Sequence, residues 1–268
     1  MTSFNENPIL LKRSLDSILN QTFLSYNLII VIEFGDKNSK IFEEYKKNDN
    51  RVKLFFNQLK LGFPASLNKG IGLCESKYIA RIDSDDICHL ERFEKQIDYL
   101  ENNPKVDILG TWLTYSNNGT IRTYPEFHNE IRDIFLFSTG IAHPSVILKS
   151  ELFVKFGAYN VSFHKAEDLE LWLRLIKNGC TFHNLQEVLL TYHVTFPDSP
   201  LEGRNGSHFF YNYLARKMHS SYIYPLLSSK VSLSLFWMMS KAPRFLYGPI
   251  DFFLSRKIKK IISDRVTL

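Results

Sequence analysis

Three short apolar runs, LIIVI at 28–32, VKLFF at 52–56 and YIARI at 78–82, are separated by stretches whose apolar residues recur at helical spacing. A strand buried on both faces reads as a continuous apolar run, and an amphipathic helix repeats every three to four residues, so the alternation demands a sheet covered by helices. It excludes a helix bundle and a β-sandwich. LLKRSLDSIL places Leu11, Leu15, Ile18 and Leu19 on one helical face, KIFEEYKK predicts a second helix, and PASLNKGIGLCES a third with Pro64 tolerated in its first turn. After residue 86, Leu90, Phe93, Ile97 and Leu100 keep helical spacing until Pro104 stops it. VDILG and TIRTYP predict strands, followed from 127 by a helix, the strand SVILK, a helix, and DLELWLRLIKNG with Gly179 as its C-cap. Trp172 shares a helical face with Leu169 and Ile176 and belongs to the core. EVLLTYHV at 187–194 is the closing strand.

A chain of 268 residues with 44% hydrophobic composition has room for one large α/β domain, or a domain with an appendage. PDSPLEGRNG at 197–206 marks the boundary: residues 1–196 form the α/β domain and 197–268 a linker with a basic, aromatic, helical C-terminal extension. The net charge of +5 is unevenly spread. Lys241, Arg244, Arg256, Lys257, Lys259, Lys260 and Arg265 face only Asp251 and Asp264, a local bias toward anionic surfaces. A stretch such as FFLSRKIKKII within 209–268 suits either peripheral contact with a bilayer or a helical cap over the sheet. No nucleic-acid recognition motif accompanies these residues, so no nucleic-acid partner is expected.

Cys74, Cys88 and Cys180 are odd in number and widely spaced, which suggests neither a disulfide framework nor a CxxC metal site and fits a reducing compartment. The start, MTSFNENP, lacks the pattern of a secretory signal. Runs such as LFWMM fall far short of the roughly 20 apolar residues that span a bilayer. The expected location is cytoplasmic, including the inner face of the cell membrane.

The chemistry concentrates in ARIDSDDICHLERF at 80–93. In an open α/β sheet, ligands bind beyond the carboxyl ends of strands, and Asp83, Ser84 and Asp85 leave YIARI at such an end. Alternation in extended backbone turns Asp83 and Asp85 to one side and Ser84 away. Two carboxylates on one side suit a hard cation, Mg2+ or Mn2+, and such an ion holding a diphosphate stabilises the charge that builds up as the diphosphate leaves. An Asp-x-Asp triplet also arises by chance, so its context decides. Asp86 is expected to cap the helix that follows.

That context is a resemblance. The block LNKGIGLCESKYIARIDSDDICHLERFEKQIDYLENNPKVDILG, with SLDSILNQTF before it and HPSVILKSELFVKFGAYN and AEDLELWLRLIKNGCTFHNLQEVLLTY after it, resembles family 2 glycosyltransferases, in the family's order, over most of residues 1–195. The resemblance implies a GT-A fold, a Rossmann-like mixed sheet flanked by helices. It also implies a nucleotide-diphosphate sugar donor, a divalent metal (Mn2+ or Mg2+) on the Asp-x-Asp motif, and transfer with inversion, in a pathway such as surface polysaccharide synthesis with a glycan or lipid-linked acceptor. By position Asp85 is the metal ligand, and Asp83 meets the ribose or, through water, the metal. Inversion by a single displacement needs a carboxylate to take the acceptor's proton. In the AED motif at 166–168, Asp168 matches that base and Glu167 binds the acceptor or positions the base. Both acids also suit a helix N-terminus through its dipole. Arg81 and Lys69 are candidates to offset diphosphate charge, although Arg81 also stands where it can pair with a carboxylate. His143, before Pro144, matches the family's acceptor-side HP; a purely structural histidine fits equally.

Two departures from the family's pattern bear on the donor pocket. The family's full apolar first strand is represented here only by its last residues within Met1–Asn7, and VIEFGDKNS stands where the family carries paired acids that read the base. Glu33 is the candidate to replace one of them, with UDP as the expected nucleotide. In TYHVT, His193 takes the family's basic position, which leaves its contact with metal or diphosphate open. Two other readings share these features: a non-catalytic sugar-nucleotide-binding relative, and a metal-dependent nucleotidyltransferase, which would release pyrophosphate.

Overall fold

The computed structural model describes residues 1–194 and 206–241. The elements run β1 (Thr2–Ser3), α1 (Pro8–Leu19), β2 (Leu28–Ile32), α2 (Ser39–Asn48), β3 (Val52–Phe56), α3 (Phe63–Gly72), β4 (Tyr78–Ala80), β5 (Ile87–Cys88) and α4 (Arg92–Asn102). They continue with β6 (Ile108–Tyr115), β7 (Ile121–Arg122), α5 (His128–Ile134), a 3-10 turn (His143–Ser145), β8 (Ile147–Lys149), α6 (Glu151–Phe156), α7 (Glu167–Lys177), β9 (Phe182–Tyr192), α8 (Gly206–Ile223) and α9 (Leu226–Lys241).

The strands form two sheets. β1, β2 and β3 make a parallel one, as expected for apolar runs joined by helical crossovers. β4, β8, β6, β9 and β5 follow in that order in a mixed second sheet, and β7 extends β6. β8 lies antiparallel to both β4 and β6, while β6 and β9 are parallel.

Side-chain alternation divides the core in two. Ile108 and Leu148 face a cluster with Trp172, Phe182 and Leu169, whereas Leu109 and Ile147 face one with Leu11, Leu15, Ile30 and Leu100. Trp172 is fully buried, in agreement with its helical spacing. Ala215 of α8 and Tyr224 just after it join the first cluster, so α8 shares the core of the α/β sheet.

Local chemistry fixes several boundaries. Asn7 caps α1 by accepting from the Ile9 N–H at 2.9 Å, and Pro8 follows where a missing N–H is harmless. Gly179 takes φ +80° just past α7, the left-handed geometry that ends a helix most easily with glycine. At Gly110, in the middle of β6, an added Cβ would collide with Asn184 Oδ1 and the Ile141 side chain, so only glycine lets these elements approach.

Some boundaries differ from the sequence reading. β9 starts at Phe182 rather than 187. Its pairing with β6 shifts register on either side of Trp112, which accommodates the polar Asn184–Glu187 stretch. α3 ends at Gly72 rather than 76, and Leu90 lies outside α4, exposed. The residues beyond 241 that carry the basic cluster lie outside the described residues.

Candidate active site

The Asp-x-Asp turn is held from behind. Arg92, fully buried, donates to the Arg81 carbonyl at 2.8 Å, and Ser14 Oγ donates to the Asp83 carbonyl at 3.1 Å. These contacts pin the chain where it leaves β4, so Asp83 and Asp85 open onto one cavity and Ser84 is buried, as alternation required. Asp86 corrects the sequence reading: it does not cap α4, whose N-cap is Glu91. Completely buried, it accepts the His193 N–H at 2.8 Å and so ties the end of β9 to the turn, with its Oδ2 left without a hydrogen bond.

The cavity holds about 850 Å3 and brings Arg81, Asp83, Asp85, His143, Glu167, Asp168 and His193 together. Carboxyls from the end of β4 and from the start of α7 thus share one space. Burial, with the neighbouring Asp83 charge, pushes the Asp85 carboxyl up to about 7. Burial and the adjacent Asp168 likewise push Glu167 up. Asp168 Oδ1 accepts the Leu169 N–H at 2.7 Å, which turns this carboxyl along the first turn of α7.

The basic residues divide. Arg81 makes a two-pronged pair with Asp83, Nη1 to Oδ2 at 2.6 Å and Nη2 to Oδ1, the geometry in which a guanidinium binds a carboxylate best. His143 is buried, its Nε2 lies 2.7 Å from the Tyr159 hydroxyl, and its ring packs edge-on to Trp172. Burial and then the Arg81 charge hold it well below the ordinary histidine range, so it is neutral. The His193 ring meets Ser116 Oγ at 3.3 Å.

Glu33 and Lys69 stand apart from this cavity. Glu33 is buried, and it accepts from Leu61 N at 2.9 Å, Gly62 N at 2.7 Å, Phe34 N and Asn57 Nδ2 at 3.1 Å, and Ser66 Oγ at 3.2 Å. Burial pushes its carboxyl upward, but these donors outweigh it and hold the group below its ordinary value. Lys69 Nζ donates to Asn57 Oδ1 at 2.8 Å and to the Phe56 carbonyl at 3.1 Å. Both residues therefore organise the 57–62 loop, which delivers Phe63 to the cavity.

Sequence reasoning missed the groups that α8 and α9 bring to the cavity, among them Asn212, Arg216, Phe236 and Met239. Arg216 is buried and donates to the carbonyls of Phe135 at 3.1 Å, Leu136 at 2.9 Å and Ser138 at 3.3 Å; burial lowers it to about 9. No local spacing signals this role, because the acceptors lie some eighty positions upstream.

A divalent cation fits the Asp83–Asp85 turn by the chemistry of its donors. Among the described residues no group of three or more His, Cys, Asp or Glu side chains forms a protein-only cage. Two carboxylates beside open space are the usual protein share when phosphate oxygens and water complete the shell.

The architecture is shared with solved GT-A structures. The Staphylococcus aureus protein TarS in complex with UDP-GlcNAc superposes with a TM-score of 0.66 at 14% identity, over 88% of this chain and 69% of that one. The mannosyltransferase PcManGT from Pyrobaculum calidifontis, in complex with GDP-Man and Mn2+, gives 0.65 at 12% identity, over 90% and 71%. The fold is thus GT-A. In sequence, the Glycosyl transferase family 2 profile matches residues 1–160. An uncharacterized glycosyltransferase of Methanocaldococcus jannaschii is 34% identical over 82% of this chain and 77% of its own length. The O-antigen biosynthesis glycosyltransferase WbnJ of Escherichia coli is 37% identical over 68% and 73%. The chain belongs to glycosyltransferase family 2 and is an enzyme that transfers sugars.

Proposed function

We propose that this enzyme moves a sugar, with inversion, from a UDP-sugar to a hydroxyl of a glycan or lipid-linked acceptor in surface polysaccharide synthesis. The single cavity that receives both Asp83–Asp85 and Glu167–Asp168 carries this reading. The UDP-GlcNAc and GDP-Man complexes of the structural neighbours support a nucleotide-sugar donor, the Mn2+ of one supports a cation, and the O-antigen relative supports the pathway.

Asp85, with Asp83, would hold Mn2+ or Mg2+, which when bound neutralises charge on the departing diphosphate. Arg81 adds a buried positive charge beside the same phosphates while holding Asp83 in orientation. Asp168 takes the acceptor's hydroxyl proton as the new bond to the anomeric carbon forms and the bond to the phosphate oxygen breaks. Glu167, pushed toward its protonated form, donates a hydrogen bond to the acceptor. Neutral His143, held by its contact with the buried Tyr159 hydroxyl, borders the acceptor side, and His193 borders the donor side. Glu33 and Lys69 act through the 57–62 loop. The chemistry resides in 1–196, and the 197–268 extension supplies the remaining wall through α8 and α9. A lipid-borne acceptor places the work at the inner face of the cell membrane.

The test is Asp168→Asn with a panel of nucleotide sugars and Mn2+. Thermal stabilisation by the donor is expected to persist, while transfer falls by about 10²-fold or more. Unchanged transfer would remove Asp168 from the role of base, and release of pyrophosphate by the wild type would make the protein a nucleotidyltransferase.

A further inference from the structure

The last described helix is built inside out. α9 buries Ser229 and Ser232 together with Phe236 and Met239, while Leu226, Leu227, Val231, Trp237 and Met238 are exposed, Leu227 at 75% and Met238 at 62%. The buried serines are satisfied internally: Ser229 Oγ donates to the Ser220 carbonyl at 3.1 Å and Ser232 Oγ to that of Leu136. The outward residues recur at helical spacing and fall on one face, with Lys230, Ser234 and Lys241 interspersed among them. A helix that buries two of its serines while Leu226, Leu227, Val231, Trp237 and Met238 face outward is not arranged for water on that side.

Charge limits what can cover the face. Residues 206–241 contain no Asp or Glu. Lys217, Lys230 and Lys241 are exposed on the two helices, and Lys177 Nζ lies 3.9 Å from the centre of the exposed Tyr222 ring at one end of the patch. A second copy of the chain would bring lysines against lysines with no acid from either helix to answer them. An anionic lipid surface answers both features at once, with acyl chains for the apolar stripe and headgroups for the lysines, and tryptophan is a residue that favours such an interface. Among the described residues no helix is long and apolar enough to cross a membrane.

We propose that the outer face of α9, with Lys230 and Lys241 on it and Lys177 and Lys217 on the neighbouring helices, docks this protein on anionic bilayers by lying in the interface. Phe236 and Met239, on the opposite, buried face of the same helix, line the cavity, so docking would leave only the thickness of α9 between the cavity and the lipid surface. The proposal stands on the exposed face and its charge and does not depend on the identity of donor or acceptor.

Flotation of the full chain with vesicles of phosphatidylcholine, or of phosphatidylcholine with phosphatidylglycerol, tests it. Wild type is expected to float with the anionic vesicles and not with the neutral ones, with a blue shift of tryptophan emission. Leu227→Ser/Val231→Ser/Met238→Ser is expected to lower partitioning by at least about tenfold without lowering the unfolding midpoint, because the face is already in water. Lys230→Glu/Lys241→Glu is expected to abolish the preference for anionic lipid. Failure of the wild type to float would overturn the proposal. So would a triple serine variant that floats like wild type, which would assign binding to residues 242–268, or a wild-type dimer in light scattering that the serine variant converts to monomer.

Discussion

Asp85→Asn is expected to make the ligand-free protein more stable while removing its cation-dependent grip on the donor. The Asp85 carboxyl stands at about 7 against an ordinary value of 3.8, chiefly through burial and then the Asp83 charge. At about 1.4 kcal/mol per tenfold, ionising it in the folded state costs at most about 4 kcal/mol, and partial contact with water reduces this to about 1–3 kcal/mol. The sign follows from proton linkage. Between pH ~4 and ~7 the folded state keeps a proton that the unfolded chain has lost, so this group lowers stability as pH rises through that window and leaves it flat above. Asparagine keeps the shape without the charge and abolishes the decline. Thermal unfolding of both proteins from pH 4 to 8, without metal, should give midpoints that converge at the acid end and separate by several degrees at pH 8, asparagine higher. Mn2+ with a nucleoside diphosphate should then raise the wild-type midpoint and leave Asp85→Asn unmoved. Parallel pH curves, or a less stable variant at pH 8, would refute the claim that this carboxylate is held ionised against its surroundings.

Gly110→Ala should destabilise by about 1–3 kcal/mol in urea unfolding, since its methyl collides with Asn184 and Ile141 and the buried Asn184 amide has the Pro125 and Gly140 carbonyls to keep. Arg216→Ala strips donors from three carbonyls in the 135–138 segment and should cost about 2–4 kcal/mol, with a rise in acceptor KM larger than any change in donor KM. A third change adds material. β2 pairs with β1 only at Val31 and Ile32, β4 pairs only with β8, and a cavity of about 900 Å3 lies between them, lined by Met1, Leu28, Ile29 and Tyr78–Ala80. Four residues of high strand propensity joined ahead of Met1 should raise the melting temperature by on the order of 5 °C, and four Gly-Ser residues should not.

What could be read from the chain beforehand follows the range of the forces involved. β2, β3 and α7 were legible because their apolar runs and periods are local, whereas Asp83, Asp85, Glu167 and Asp168 were singled out by the resemblance rather than by any period, and the structure brings the four to one cavity. The first half of β9 was not. Asn184 is buried in it and satisfied by the Pro125 and Gly140 carbonyls, contacts 59 and 44 residues away that no period records. Asp86 reads as a helix cap from spacing alone, but its partner is the backbone of His193, at a separation of 107. Glu33 was placed at the donor by its position in the stretch that reads the base in the resembling family and Lys69 by its charge, and in the structure both hydrogen-bond to Asn57.

The acidic cluster also explains why Arg81 is the most consequential cation near the turn. Asp83, Asp85 and Asp86 leave β4 within four residues, and burial with mutual repulsion pushes Asp85 and Asp86 upward. A compact fold tolerates such a group only when positive charge is supplied nearby. Arg81 supplies it from within, locked to Asp83 and eased by the packing of Phe63 at 5.7 Å. In the proposed function a cation on Asp85 would supply the remainder from outside, so the repulsion within the cluster would become a differential affinity for cation and diphosphate. Removing the internal charge should expose this division. Arg81→Met leaves the cluster without its internal positive charge, so without ligand it should unfold several degrees below wild type at pH 8 and draw closer at pH 4, where Asp85 and Asp86, pushed upward by burial and their neighbours, hold protons. Mn2+ alone should recover more of the midpoint in Arg81→Met than it adds to wild type, because the cation then meets two uncompensated carboxylates. Equal Mn2+ shifts in the two proteins would mean that Arg81 and the cation do not answer the same charge.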